Sequence, residues 1–222
     1  ASGAAAIPSG GVVVAGSYQQ SIDFGSGPIP SAGGYDIFVV SLDASGNVLW
    51  AKTFGDGADQ LSPQLASDSF GNIYVAGGFP GSIDFGCGTV TSAGDRDIFA
   101  AKLDINGECV WSRRFGDELN QFSAYLAVDA AGQVGLTGTF LGTIGVGLDT
   151  LSSAGNGDAF ILKLNGAGLP IWGRSFGDSQ GAETGYGIAF NAENDAVVAG
   201  TFLSTIDLGG DQLTSQDSAD AF

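Results

Sequence analysis

The chain has 222 residues, 24 acidic and 7 basic side chains, 38 glycines, and neither histidine nor methionine. A net charge of −17 offers no basic stripe for nucleic acid or for an anionic membrane surface. The missing histidine excludes Ser-His-Asp and Cys-His catalysis and His-ligated zinc. Hydrophobic content of 44% against 14% charged describes a chain with a core, and no apolar run approaches the roughly 18 residues of a membrane helix.

Taken from the start, the chain begins with Ala and reads as a processed product or an excised piece. The first strand-like run is Gly11–Gly16, and the residues before it read as a weakened strand. A third-strand run follows at Asp36-Ile37-Phe38, and then Trp50-Ala51-Lys52-Thr53-Phe54-Gly55-Asp56. That last stretch returns as Trp111–Asp117 and as Trp172–Asp178, each time 61 residues on. An aromatic and a cation separated by small residues suit an outer strand with a buried ring and a surface cation. Gly-Asp then ends the strand in a turn.

In the second copy four runs stand out: Gln64–Ser67, Ile73–Phe79, Ile98–Leu103 and Cys109–Phe115. The turns Asp68-Ser69-Phe70-Gly71 and Asp104-Ile105-Asn106-Gly107 join them in pairs. Asp-x-x-Gly suits a short hairpin, with Asp opening a type I turn and Gly taking the left-handed position. A longer connection of about 17 residues, Gly81 to Asp97, carries Ile83-Asp84-Phe85-Gly86 and Ser92-Ala93-Gly94 and reads as a loop.

Four antiparallel strands in tandem copies predict an all-β chain of β-propeller blades. There are about 3.6 copies, 1–61, 62–122, 123–183 and an incomplete 184–222, forming one segment over 1–222. Open blade edges invite a second copy, or further sequence, to complete the sheet by strand addition.

The repeat resembles the bacterial β-propeller repeat known as SBBP. The likeness rests on Gly71–Gly77, Asp97–Asp104 and Trp111–Gly116 and covers nearly the whole chain. It implies a secreted or cell-surface protein, many of them myxobacterial, with seven blades as the family's usual number. It transfers no catalytic residues.

Three sets of aspartates recur on the long-loop face: Asp23, Asp84 and Asp207; Asp36, Asp97 and Asp158; and Asp56, Asp117 and Asp178. If loops of neighbouring copies converge, these carboxylates could hold Ca²⁺, which takes oxygen ligands; turn capping is their plainer role. Cys87 and Cys109 share one repeat and could bridge a loop to an outer strand, or remain two buried thiols. Arg96, between Asp95 and Asp97, is a cation without repeat partners, for which a surface ion pair is expected. The function expected is a non-catalytic extracellular scaffold or adhesion module with protein or glycan partners. The alternatives are a lectin-like propeller or a polysaccharide-acting enzyme built on a carboxylate pair.

Overall fold

A computed structural model describes residues 1–216 and 218–222; of Ser62 and Ser123 it describes the backbone alone. The described residues contain strands and turns and no helix. The first repeat holds β1 (Gly3–Ala6), β2 (Val12–Tyr18), β3 (Ser21–Asp23), β4 (Pro28–Pro30), β5 (Asp36–Leu42) and β6 (Val48–Phe54). The second holds β7 (Leu61–Ser67), β8 (Ile73–Phe79), β9 (Ser82–Asp84), β10 (Thr89–Thr91), β11 (Asp97–Leu103) and β12 (Cys109–Phe115). The third holds β13 (Gln121–Val128), β14 (Val134–Phe140), β15 (Thr143–Val146), β16 (Asp149–Ser152), β17 (Asp158–Leu164) and β18 (Pro170–Phe176). The fourth holds β19 (Thr184–Phe190), β20 (Ala196–Phe202), β21 (Thr205–Ile206), β22 (Leu213–Thr214) and β23 (Asp220–Ala221).

Each of the first three repeats is a four-stranded antiparallel sheet, ordered β1-β2-β5-β6, β7-β8-β11-β12 and β13-β14-β17-β18. The fourth is three-stranded, β19-β20-β23. A shift of register at Ser41/Leu42 recurs at Lys102/Leu103 and Lys163/Leu164, so the sheets repeat down to their irregularities.

The cores lie between sheets. One joins Val13, Ile37, Val39 and Phe54 of the first repeat to Ile73, Val75, Phe79 and Phe99 of the second. Another joins Ile98, Trp111 and Phe115 of the second to Leu136, Phe140, Phe160 and Leu162 of the third. A sheet packed on both faces needs strands without polar alternation, and β8 and β14 are buried at every position. Each such large side chain contributes roughly 1.5–3 kcal/mol on burial. In the fourth repeat β20 alternates between covered and exposed positions, with Val197 among the exposed ones.

The connection from Gly81 to Asp97, expected as a loop, contains a two-stranded hairpin, β9 with β10; β3–β4, β15–β16 and β21–β22 are its counterparts. The reason lies in Ile83 and Phe85, which are buried in the core between the first and second repeats. The Phe85 ring lies 4.7 Å from Phe54 of the preceding repeat and 5.2 Å from Phe99 of its own. Ile144 and Val146 take the same places in the third copy. The short hairpin thus lids the joint between sheets.

Candidate functional site

The repeated aspartates divide into three jobs. Asp23, Asp84 and Asp207 hold their own hairpin turns: Asp23 Oδ1 accepts from the N–H of Gly25 and Gly27, Asp84 Oδ1 from Gly86 and Gly88, and Asp207 Oδ1 from Gly209. Asp36, Asp97 and Asp158 are buried at the start of the third strand, and each accepts from the alanine N–H of its Ser-Ala-Gly turn, at 2.7, 2.9 and 3.0 Å. Asp56, Asp117 and Asp178 reach into the next repeat. Asp56 Oδ2 accepts from Ser82 N–H at 2.7 Å, Asp117 Oδ2 from Thr143 N–H at 2.7 Å, and Asp178 Oδ2 from Thr205 N–H at 3.1 Å. Each of the three therefore ties the end of one outer strand to the lid hairpin of the following sheet.

Charge follows from these contacts. Burial pushes the carboxyls of Asp36 and Asp158 above the ordinary range, and the nearby Asp56 and Asp178 add to it. For Asp56 and Asp117 burial acts upward but is outweighed by the donors around them, so both are held low. The Thr205 hydroxyl and the N–H of Gly181 hold Asp178 low.

At each joint the structure adds a buried polar residue; the first two, Gln60 and Gln121, stand one 61-residue step apart, and the third, Glu183, is displaced by one. Gln60 N–H donates to Tyr35 O, Gln121 N–H to Arg96 O, and Glu183 N–H to Gly157 O. All three side chains are fully buried. The Gln60 amide donates to Asp56 Oδ1 at 2.9 Å, and the Gln121 amide to Leu141 O at 2.9 Å and Asp117 Oδ1 at 3.3 Å. Their signal in the sequence is a polar residue four or five places after Phe-Gly-Asp. The glycine of that motif is explained by the same group. A Cβ on Gly177 would lie 2.5 Å from Glu183 Oε2 and 2.7 Å from Asp158 Oδ1, and one on Gly55 would lie 2.6 Å from Gln60 Oε1.

The carboxylates named for calcium are thus brought together in pairs, one pair per joint, while Asp23, Asp84 and Asp207 stay at their own turns. Among the described residues no group of three or more His, Cys, Asp or Glu side chains is placed to hold a metal ion. Cys87 and Cys109 are joined as a disulfide, tying the lid hairpin of the second repeat to its outer strand.

Arg96 does not make the expected ion pair among the described residues. Its stem lies over Gly78, and it lines a cleft of about 200 Å³ with Leu61, Gln64, Phe122 and Tyr125. The ion pair with Asp97 belongs to Arg114.

The three tryptophans differ, against the expectation of three buried rings. Trp50 Nε1–H donates to Ile105 O at 2.9 Å, and Trp111 Nε1–H to Gly166 O at 3.0 Å. Each indole lies on the turn between third and fourth strands of the next repeat, with Gly107 and Gly168 against the rings. Trp111 is 5% exposed and Trp172 is 37% exposed.

The chain is similar to a viral WD-repeat protein. That relative is an uncharacterized WD repeat-containing protein of Acanthamoeba polyphaga mimivirus, 26% identical over 210 residues. The alignment covers 81% of this chain and 14% of the relative's length. No protein-family model matches the sequence. Sheets of one design in tandem, packed face to face, together with that likeness, describe a β-propeller-like repeat protein. A closed ring is not formed by the described residues, and the number of blades is not fixed by them.

Proposed function

We propose that this chain is a non-catalytic, protein-binding scaffold from a propeller of the SBBP type, displayed outside a bacterial cell. One observation carries the reading. The repeated acids, the natural candidates for chemistry, are engaged in turns and in ties between sheets, so repetition serves construction. The WD-repeat likeness supports a scaffold, and the Cys87–Cys109 disulfide supports an oxidising compartment. The surface charge of an acidic chain keeps such a module soluble.

The test has two parts. Protease shaving of intact source cells is expected to release peptides of this chain. The purified chain on a glycan array, and incubated with a polysaccharide panel, is expected to stay silent. Binding at equivalent sites in several repeats would replace the scaffold with a lectin, and hydrolysis would replace it with an enzyme. A melting-temperature titration with Ca²⁺ and chelator on the same preparation addresses a cation between repeats; a rise with Ca²⁺ would add one to the reading.

A further inference from the structure

The joint between the second and third repeats has an opening that its two neighbours lack. Between the first and second repeats the Ser17 hydroxyl donates to Gln60 O at 3.0 Å, and between the third and fourth the Thr139 hydroxyl donates to Glu183 O at 3.1 Å. One 61-residue step after Ser17, and one before Thr139, stands Gly78, which has no side chain to give that bond. Both sheets of this joint have all four strands, so the opening comes from Gly78 itself. Arg96 lies along it: a Cβ on Gly78 would meet the Arg96 stem and Phe122 O, each at 3.2 Å.

The lining is not repeated. Tyr35 and Gly157 hold the place of Arg96, and Leu61 holds that of Phe122. Features that build the sheets return in every copy; this set occurs once and converges on one cleft, with Gln64 and Tyr125 as the polar side chains beside Arg96. Arg96 is half-buried and has no ion pair among the described residues, while the adjacent Asp97 is held by Arg114. A guanidinium so placed offers a planar fork of N–H donors that matches a carboxylate.

Size and charge narrow the occupant. Sites for drug-sized ligands and cofactors run from about 300 Å³ upward. A cleft of about 200 Å³ takes one side chain. A net charge of −17 repels a polyanion, which favours a lone carboxylate over an acidic run. Arginine and aromatic rings in a cleft are where protein interfaces concentrate their binding energy.

We propose that the Arg96 cleft anchors a protein-docking surface, and that its occupant is a single glutamate or aspartate side chain of a partner protein, set beside an apolar residue that covers Phe122. Phe122 lines the cleft and is 43% exposed, so its ring is available to such a neighbour. The proposal rests on the reading of this chain as a protein-binding scaffold and adds the place and the chemistry of the contact.

The test titrates the full chain with the blocked dipeptide N-acetyl-Leu-Glu amide and follows the Arg96 Nε–Hε and Tyr125 backbone N–H signals by NMR. Saturable shifts of both are expected at or below tens of millimolar. Affinity is expected to fall about tenfold or more for the Leu-Gln dipeptide, for Arg96→Gln and for Gly78→Ser. Gly78 lies in strand backbone without a left-handed φ, and serine is what the first repeat carries there. Gly78→Ser therefore closes the cleft while keeping the urea midpoint of the parent, so a folding defect does not imitate the loss. No shift at tens of millimolar, equal binding of the Gln dipeptide, or binding indifferent to both protein changes would overturn the proposal. Sulfate or glucuronate binding as tightly as the Glu dipeptide would overturn it too, since the cleft would then take any small anion or an acidic sugar. None of these dipeptide outcomes bears on the shaving result, which tests the scaffold reading separately.

Discussion

Glu183 stands where Gln121 stands one repeat earlier: the N–H of each donates to the carbonyl of the residue before a buried aspartate, Gly157 in one case and Arg96 in the other. The side chains are not equivalent in chemistry. Gln121 brings an NH₂ that donates to Leu141 O. Glu183 brings only oxygens, neither with a hydrogen-bond partner, and a Cβ on Gly181 would fall between Glu183 Oε1 and Leu203 O. A neutral glutamic acid regains one donor and fits the site as a glutamine does.

That comparison predicts a pH effect. Burial raises the Glu183 carboxyl to about 7 from 4.5, and the charges of Asp178 and Asp158 add to it. Below pH 4.5 the folded and unfolded chains both hold this proton, and nothing is lost. Between 4.5 and 7 only the folded chain holds it, so stability falls as pH rises; above 7 the loss is complete. Its size is on the order of 3 kcal/mol. Glu183→Gln is expected to raise stability at pH 8 and to flatten this part of the profile. Asp56, Asp117 and Asp178 act with the opposite sign, since their contribution is present above the ordinary aspartate range and is lost as pH falls. Urea unfolding across pH 4–8 for both chains is the measurement. An unchanged slope in the variant would remove Glu183 as its source.

Arg114 is the cation at the second joint, paired with an Asp97 carboxylate that is fully buried. The repeat-equivalent positions hold Thr53 and Ser175, so this joint alone is neutralised in that way. Arg114→Ala leaves a buried charge without its partner and is expected to cost about 2–4 kcal/mol, less than a fully enclosed pair because Arg114 is partly exposed. Asp97→Asn in the Arg114→Ala background should recover part of the loss. A double-mutant cycle by urea denaturation checks this, and strict additivity would show that the two side chains do not interact.

The tryptophan series gives a graded prediction. Trp111→Ala opens a cavity beneath a turn and breaks the bond to Gly166 O, and is expected to cost about 3–5 kcal/mol. Trp172→Ala removes a ring that lies against an open groove and should cost no more than about 1 kcal/mol. Midpoints of urea unfolding for the two variants decide it; equal losses would mean that the turn adds nothing to the buried indole.

What could be read from the sequence followed from periodicity. Ile73–Phe79 and Cys109–Phe115 are strands with the boundaries their residues suggest, because a copy every 61 residues fixes register as well as type. The Asp-x-x-Gly turns were legible because their chemistry is local: Asp43 Oδ1 accepts from Ser45 and Asn47 while Gly46 takes a φ of +83°. The joints were not legible. Asp56 bonds to Ser82 and Gln60 bonds back to Asp56, and no local pattern announces a contact across 26 residues. The one-residue displacement that brings Glu183 rather than Ala182 into the glutamine place also hides it from a search at constant spacing. Arg96 is a cation without counterpart between two acids, yet Arg114, seventeen residues beyond Asp97 on the neighbouring strand, is the one that reaches that carboxylate.

The disulfide supplies the last prediction. Cys87 lies in the lid hairpin and Cys109 at the start of β12, 22 residues apart, and neither cysteine has a counterpart in the other copies. Lids of the first and third repeats have no bridge: the third is held by Ile144 and Val146 in the core and by the tie from Thr143 to Asp117, and the first has a bond from the Tyr18 hydroxyl to Pro30 O. The bridge therefore adds to a lid already seated by Ile83 and Phe85. Closing a loop of this length stabilises a fold by about 3 kcal/mol through the unfolded chain. A Cys87→Ser, Cys109→Ser variant is expected to fold, to unfold at lower urea by about that amount, and to lose protection first in the lid. Hydrogen exchange resolved by peptide would locate the change in residues 82–91. If protection fell instead across β8 and β11, the bridge would be holding the sheet itself, and the lids of the other repeats would need a support not yet identified.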